Sequence, residues 1–179
     1  MTQRITPQNL QQSVAEWSVA NFDDQKGVNQ LAPLLGIFEE ILDELFSATT
    51  QLERADALGD ICIYLCDFSS RDTPSCDLFK LWYKSEMIVT ILGQQYAKDE
   101  LTKLMGKLAH VCLKRHQGIR GYDDDLKYAM ERNEILMKIN IFAPIVAGLP
   151  PGGLMKYGCQ TFTEVVSKRN WKTLPQGPQ

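Results

Sequence analysis

Residues 57–66 read ALGDICIYLC, and this stretch decides the fold. Its apolar residues occur nearly all the way round a helical turn, which predicts a buried helix. Alternating β-branched runs between turn signals, which are typical of strands, are nearly absent from the chain. The expected architecture is therefore an all-α helical bundle.

Helical spacing and turn signals divide the rest of the chain. The expected helices cover residues 8–22, 29–51, 54–68, 77–116 (interrupted near Gly93 or Asp99), 123–142 and 161–168. Clusters of turn-forming residues separate them at 23–27, 69–75 and 149–153. We expect one domain over residues 1–172, with an extended C-terminal helical part, and a flexible tail at 173–179.

The composition is that of an ordinary folded protein, because 44% of the 179 residues are hydrophobic and 23% are charged. The net charge of −3 argues against a general binder of nucleic acids or anionic membranes. No apolar run approaches the roughly 20 residues that cross a bilayer, and no signal-like apolar core follows Arg4. Five cysteines, an odd number, do not suggest a disulfide framework. We therefore expect a soluble, reduced, cytoplasmic protein.

Asp60 is the unusual residue of the predicted buried helix, since it lies in the middle of the apolar stretch. Asp56 precedes it by one turn, and Tyr64 and Asp67 follow on the same stripe. An ionised carboxylate on a buried helix is costly unless a cation, a metal ion or hydrogen bonds compensate it. No lysine or arginine occurs between Asp56 and Phe68, so a compensating charge has to come from elsewhere.

The preceding helix carries acidic residues opposite an apolar face. That face is predicted to comprise Leu31, Leu34, Leu35, Phe38, Leu42 and Leu45. The acidic residues are Glu39, at the flank, and Glu40, Asp43 and Glu44. A turn near residues 51–54 would bring them against Asp56 and Asp60, where a hard divalent cation would prevent repulsion or proton uptake. The alternatives are a solvated acidic face and core carboxylates satisfied by hydrogen bonds.

Two stretches resemble the MazG-like branch of the all-α nucleoside triphosphate pyrophosphohydrolases. They are residues 39–45, EEILDEL, and residues 56–65, DALGDICIYL. The family's signature is EExxE, a short spacer and ExxD, and it binds magnesium. Tyr64 matches a tyrosine that commonly follows the family's aspartate by one turn. Residues 17–22 look like its aromatic entry segment, and residues 162–172, FTEVVSKRNWK, look like the closing helix and basic-aromatic motif of its phage and bacterial members.

The chain departs from this signature at two positions. Asp43 stands where the signature has glutamate, unless Glu44 serves one residue later. Ala57 replaces the second-helix glutamate, for which Asp56 is the stand-in. Side chains three or four residues apart share a helix face, so either spacing can direct carboxylates to one ion. The implied ligands for Mg²⁺, with Mn²⁺ as a substitute, are Glu40, Asp43, Glu44, Asp56 and Asp60.

The resemblance implies hydrolysis of a (deoxy)nucleoside triphosphate to the monophosphate and pyrophosphate. The ions would neutralise the triphosphate and lower the pKa of a water that attacks the α-phosphorus. The implied catalytic residues are Glu40, Asp60 and Glu44, with Glu39 or Glu44 as the base. The candidate substrate-binding residues are Lys114, Lys168 and Arg169 for the phosphates and Trp17 and Tyr64 for the base. Alternatively, Lys114 belongs to a solvated cationic face at a helix C-terminus, and Trp17 belongs to the core.

Two other functions stay open at this point. One is the phosphoribosyl-ATP pyrophosphohydrolase of histidine biosynthesis, which usually comes in a shorter chain. The other is a non-catalytic helical protein that binds a metal or a partner, an interpretation that Ala57 keeps open. The resemblance also implies a homodimer or homotetramer, because family members often complete the pocket across subunits. No membrane partner and no stable nucleic-acid binding are expected.

Overall fold

The computed structural model describes residues 4–22, 30–83, 93–170 and 173. Within these ranges the chain contains helices and no strand, which confirms the all-α class. The α-helices in chain order are α1 (Leu10–Phe22), α2 (Leu31–Glu39), α3 (Gln51–Arg71), α4 (Leu78–Tyr83), α5 (Gln94–Gln117), α6 (Asp125–Val146) and α7 (Leu154–Glu164). A π-helical segment, Glu40–Leu45, continues α2, and a 3₁₀ turn, Val166–Lys168, follows α7. None of the helices in these ranges is both long and apolar enough to cross a membrane.

The helix α3 lies at the centre of the fold. It packs against α1, against α2 with its π-helical continuation, and most extensively against α7. Leu58, Ile61 and Leu65 of α3 are completely buried. The helices α5 and α6 pack mainly against each other. The buried helix predicted from residues 57–66 is therefore confirmed.

A capping box starts α3 earlier than the sequence pattern suggests. Thr50 Oγ1 accepts a hydrogen bond from the Glu53 backbone N–H (3.2 Å), and Glu53 Oε2 accepts one from the Thr50 N–H (2.9 Å). These reciprocal bonds close the first turn, so α3 begins at Gln51. The turn between the two helices accordingly lies at residues 48–50 and not at 51–54.

Other helix ends also differ from the expectation. The helix α3 runs on to Arg71, whose side chain pairs with Asp67 one turn earlier (2.6 Å) and supports the last turn. The cap of α6 is Asp124 rather than Asp123, because its side chain accepts hydrogen bonds from two N–H groups of the first turn. The helix then continues through Pro144.

The helix expected at 77–116 is two helices, α4 and α5. The second begins directly after Gly93 and is continuous through Asp99, so the chain is not interrupted at Asp99, and residues 84–92 lie outside the described residues. The last helix, α7, begins before residue 161, directly after Gly153, whose φ of 83° suits a residue without a side chain. The break predicted at 23–27 and all of the tail except Thr173 lie outside the described residues.

Two glycines allow α3 and α7 to cross closely. A Cβ at Gly59 would collide with the Thr161 side chain, and a Cβ at Gly158 would lie 2.5 Å from Cys62 Sγ. This close crossing fixes α7 on α3. The segment after α7 consequently brings Arg169 to the cavity that Asp56, Asp60, Tyr64 and Asp67 of α3 also line.

Candidate functional site

A cavity of about 630 Å³ lies where α1, the π-helical segment, α3 and the segment after α7 meet. Its volume is in the range of small-molecule sites. Its lining residues are Val14, Trp17, Phe22, Glu40, Glu44, Asp56, Asp60, Ile63, Tyr64, Asp67, Val166 and Arg169. Four of the five predicted metal ligands are therefore in one cavity.

The π-helical segment determines which acidic residues face this cavity. Hydrogen bonds in a π-helix span five residues instead of four, so one turn takes about one residue more than in an α-helix. Glu44, four residues after Glu40, lies on the same side and both line the cavity, whereas the wider turn directs Asp43 away from it. Asp43 is exposed and is not among the lining residues. The structure thus does not bring Asp43, which was expected among the metal ligands, to the site.

The apolar face of α2 also differs from the predicted one. Leu34 and Leu45 are buried as expected, and Ile37 and Ile41 complete the buried face. Leu31, Leu35 and Leu42 are exposed instead, and Phe38 is partly buried. The reason is that the buried face includes Glu40, so the leucines alone predict the wrong phase of the helix.

Glu40 is the most constrained carboxylate of the site. Its side chain is only 7% exposed, and its Oε2 atom is buried without any hydrogen-bond partner. Burial, and then repulsion from Asp60, Glu44 and Glu39, raises its pKa to about 8. A buried oxygen without a partner is costly, which makes Glu40 a residue that a ligand would satisfy.

Asp60 is the second carboxylate with a strongly changed pKa. Burial, and then repulsion from Asp56, raises its pKa to about 6, while the Arg169 guanidinium acts in the opposite direction. The positive charge that residues 56–68 lack therefore comes partly from the segment after α7. Glu40 and Asp60 repel each other across the gap between two successive helices.

Asp56 and Ala57 take different positions on α3. Ala57 is completely buried in the core, whereas Asp56 is exposed to solvent and lines the cavity. Asp56, and not residue 57, is thus the position at which this turn of α3 can place a carboxylate in the cavity wall.

The donor set suits a hard divalent cation, because carboxylate oxygens are the ligands that magnesium prefers in proteins. Glu40 Oε2 is an oxygen that such an ion would satisfy. No three His, Cys, Asp or Glu side chains of the described ranges are already arranged as a metal-binding group. The Glu44 side chain already lies against Glu40, so binding would require the exposed side chain of Asp56 to turn toward this pair.

The two predicted aromatic residues both line the cavity. The Tyr64 ring lies against Gly36 of α2, where an added Cβ would be 2.5 Å from Cε1. Burial, and then the charge of Glu40, raises the Tyr64 pKa. Trp17 is partly buried, and its indole N–H donates to the Arg169 carbonyl (3.1 Å). Trp17 thus packs on the core and also forms part of the cavity wall.

Of the predicted phosphate-binding residues, only Arg169 lines the cavity. Lys168 precedes it on the 3₁₀ turn and is exposed. Lys114 lies on α5 and is not among the lining residues, so the structure does not bring it to the site. Trp171 and Lys172 of the basic-aromatic stretch lie outside the described residues.

The sequence did not single out Asp67 as a site residue, although it lines the cavity. Its Oδ2 accepts a hydrogen bond from Ser18 Oγ (2.9 Å), and its Oδ1 accepts one from Arg71 Nε (2.6 Å). The spacing of Asp67 and Arg71 by one turn is a sequence signal that could have found this pair. Ser18 comes from α1 and had no such signal.

No family model, no curated protein and no solved structure matches this chain. The fold and the site define an all-α protein with a carboxylate-lined cavity between its helices. The choice among possible functions therefore rests on the chemistry of that cavity.

Proposed function

We propose that this protein is a MazG-like pyrophosphohydrolase that converts a nucleoside or deoxynucleoside triphosphate to the monophosphate and pyrophosphate with the help of magnesium. The observation that carries the proposal is the pairing of Glu40 and Asp60 across one cavity. Both have raised pKa values, and one oxygen of Glu40 is buried without a partner. Two carboxylates held this way by adjacent helices are better suited to an ion than to solvent.

The residues that would hold Mg²⁺ are Glu40, Glu44, Asp56 and Asp60. When bound, the ion supplies charge neutralisation of the phosphates and lowers the pKa of water. Protein side chains would accept the proton and would bind the phosphates and the base.

Glu44 is the proposed base, because it is exposed to water and adjoins Glu40. It would accept a proton as the water oxygen bonds to the α-phosphorus and the α–β bridging P–O bond breaks. Arg169 is the proposed contact of the phosphates, since it lines the cavity close enough to Asp60 to affect its pKa. Trp17 and Tyr64 would enclose the base.

The π-helical segment supports the resemblance to the family's EExxE signature. Glu44 comes one residue later than the last glutamate of that signature would, with Glu40 as the second glutamate. A π-helical turn absorbs one additional residue, so the later glutamate still reaches the cavity. Asp56 supports the resemblance in the second helix of the signature, because Asp56 lines the cavity whereas Ala57 is buried in the core.

The proposal includes self-association as a homodimer or homotetramer. Leu31 and Leu35 on the outer face of α2 are 57% and 54% exposed, and Leu42 follows on the π-helical segment. Exposed apolar surface of this kind favours burial against another chain. Light scattering should give a mass of two or four chains, and a monomeric mass would contradict this part of the proposal.

The direct test is pyrophosphate release from a panel of ribo- and deoxynucleoside triphosphates with Mg²⁺ or Mn²⁺. The wild-type protein should release pyrophosphate from at least one, and Asp60→Asn should abolish release without changing the circular dichroism spectrum. Asp99→Asn, an exposed aspartate on α5, is the matched control and should remain active. Absence of release from every nucleotide would rule out the enzymatic function.

A further inference from the structure

Asp67 is a fixed carboxylate in the same cavity as the proposed ion ligands. It lies seven residues after Asp60 on α3, which corresponds to about 10 Å along the helix axis. Asp67 shares this cavity with Trp17 and Tyr64, and its partner Ser18 lies on α1, the helix that carries Trp17. The cavity thus has the proposed ion ligands around Asp60 and a further carboxylate at Asp67, with aromatic side chains in the same wall.

Two side chains hold Asp67 in one orientation. Ser18 Oγ and Arg71 Nε donate to its two oxygens, and Arg71 Nη2 donates to Ser18 Oγ (2.5 Å). Ser18 is completely buried, and the Asp67 and Arg71 side chains are 15% and 10% exposed. Burial raises the pKa of Asp67, while the Arg71 guanidinium and the Ser18 hydroxyl act in the opposite direction and favour its ionised form. A side chain fixed in this way is preorganised for recognition.

The bonds of Asp67 leave part of its hydrogen-bonding capacity free. An ionised carboxylate has about four lone-pair sites and only accepts hydrogen bonds. Ser18 and Arg71 use one site on each oxygen, so each oxygen retains an acceptor position. Asp67 can therefore recognise a group that presents two adjacent donors.

Only one of the common bases matches this requirement on its Watson–Crick edge. Guanine presents N1–H and the N2 amino group side by side. Adenine and cytosine present one amino donor beside an acceptor nitrogen, and uracil and thymine present one N–H between two carbonyl oxygens. Two adjacent acceptors would meet a lone pair on each of the latter four bases, which costs binding energy.

We propose that Asp67 determines specificity for the base and that it selects guanine nucleotides, with Ser18 and Arg71 as its positioning residues. This inference rests on the proposed nucleotide hydrolysis. It assigns the aromatic-lined part of the cavity to the base, with the guanine N1–H and N2 amino group donating to Asp67.

Calorimetric binding of α,β-methylene deoxynucleoside triphosphates with Mg²⁺ tests this inference without turnover. The wild-type protein should bind the guanine analogue about ten- to hundredfold more tightly than the adenine, cytosine and thymine analogues. The hypoxanthine analogue, which lacks only the N2 amino group, should lose most of that advantage.

Asp67→Asn replaces one acceptor by a donor, so it should weaken guanine binding about ten- to hundredfold and improve adenine binding. The matched control is Asp125→Asn, which breaks an aspartate–arginine pair with Arg115 at the surface. It should keep the wild-type preference. If Asp67→Asn does not fold, the comparison of guanine with hypoxanthine in the wild-type protein decides the question.

Two results would overturn the inference, and they are distinguishable. If all nucleotides bound with equal affinity, or with a preference that Asp67→Asn leaves unchanged, the base would not contact Asp67, while the proposed hydrolysis would stand. If no nucleotide bound at all, the proposed function would fail together with the inference.

Discussion

Single residues show how far the sequence could define this site. The position of Asp60 in an apolar helix was a sufficient signal, because a buried carboxylate needs a compensating group. The choice between Asp43 and Glu44 could not be made from the sequence. It depends on a π-helical turn that neither spacing nor composition predicts. The spacing of Asp67 places it on the same stripe of α3 as Asp60, but its hydrogen-bond partner Ser18 lies on another helix, α1.

The first prediction concerns this choice of ligand. Glu44→Gln should weaken Mg²⁺ binding by about tenfold or more, since it removes a charged oxygen ligand from the cavity. Asp43→Asn removes the same charge one residue earlier on the exposed side and should leave binding nearly unchanged. Titration calorimetry with MgCl₂ measures both. Equal losses of Mg²⁺ affinity in the two variants would contradict the assignment of Glu44, rather than Asp43, as the ligand.

The second prediction concerns pH and stability. The Glu40 pKa is about 8 in the folded protein and 4.5 in the reference state, so the folded state binds the proton more tightly between these values. Without metal, the free energy of unfolding should therefore fall as the pH rises from 4.5 to about 8. Asp60 adds a slope of the same sign between 3.8 and about 6.

Urea denaturation over this pH range measures the slope. Glu40→Gln should flatten it above pH 6, because the amide does not titrate. Saturating Mg²⁺ should restore stability at the alkaline end, since the ion favours the ionised carboxylate. A metal-free protein whose stability does not change in this range would contradict the burial of Glu40.

Among the helices, α3 was the easiest to predict, although its ends were not. A helix buried all round leaves a continuous apolar signal, whereas its start depends on the capping box of Thr50 and Glu53. The spacing S/T-x-x-E of that box is present at Thr50 and Glu53, but apolar periodicity does not register it. The packing of α7 on α3 depends on the absence of side chains at two glycines, which apolar periodicity does not register.

The third prediction tests this crossing. Gly59→Ala should destabilise the protein by about 1–3 kcal/mol, because the added methyl group collides with Thr161 and pushes α7 away from α3. Gly106→Ala is the matched control. Gly106 is an exposed glycine within α5 with nothing near its added Cβ, and the change should stabilise by about 0.5–1 kcal/mol.

Chemical denaturation measures both changes in the free energy of unfolding. A Gly59→Ala protein as stable as the wild type would mean that α7 is not held by this contact. Displacement of α7 should also reduce Mg²⁺-dependent nucleotide binding, because Arg169 follows that helix.

At the scale of the whole molecule, a buried ion pair connects α6 to the loop after α3. Arg132 Nη1 pairs with Asp72 Oδ2 and donates to the Pro74 carbonyl (2.5 Å). Tyr128 and Gln30 also donate to Asp72, at 2.7 and 2.6 Å. Arg132 and Asp72 are 1% and 6% exposed. Residue spacing does not predict this contact, because its partners are far apart in the chain.

The fourth prediction follows from this burial. Arg132→Met should destabilise by about 3–5 kcal/mol, since it leaves the Asp72 carboxylate buried without its counter-charge. Glu134→Gln breaks an exposed pair with Lys138 on the same helix and should cost less than about 1 kcal/mol. Thermal and urea denaturation give both values, and a small loss for Arg132→Met would contradict the role of the pair as a connection between α6 and the loop after α3.

The measurement that tests the proposed activity most directly is the analysis of products formed in ¹⁸O-labelled water with Mg²⁺ and a nucleoside triphosphate, by ³¹P NMR and mass spectrometry. The expected products are a nucleoside monophosphate that carries ¹⁸O on its α-phosphorus and unlabelled pyrophosphate. A nucleoside diphosphate with free phosphate, label in the pyrophosphate, or no product at all would contradict it.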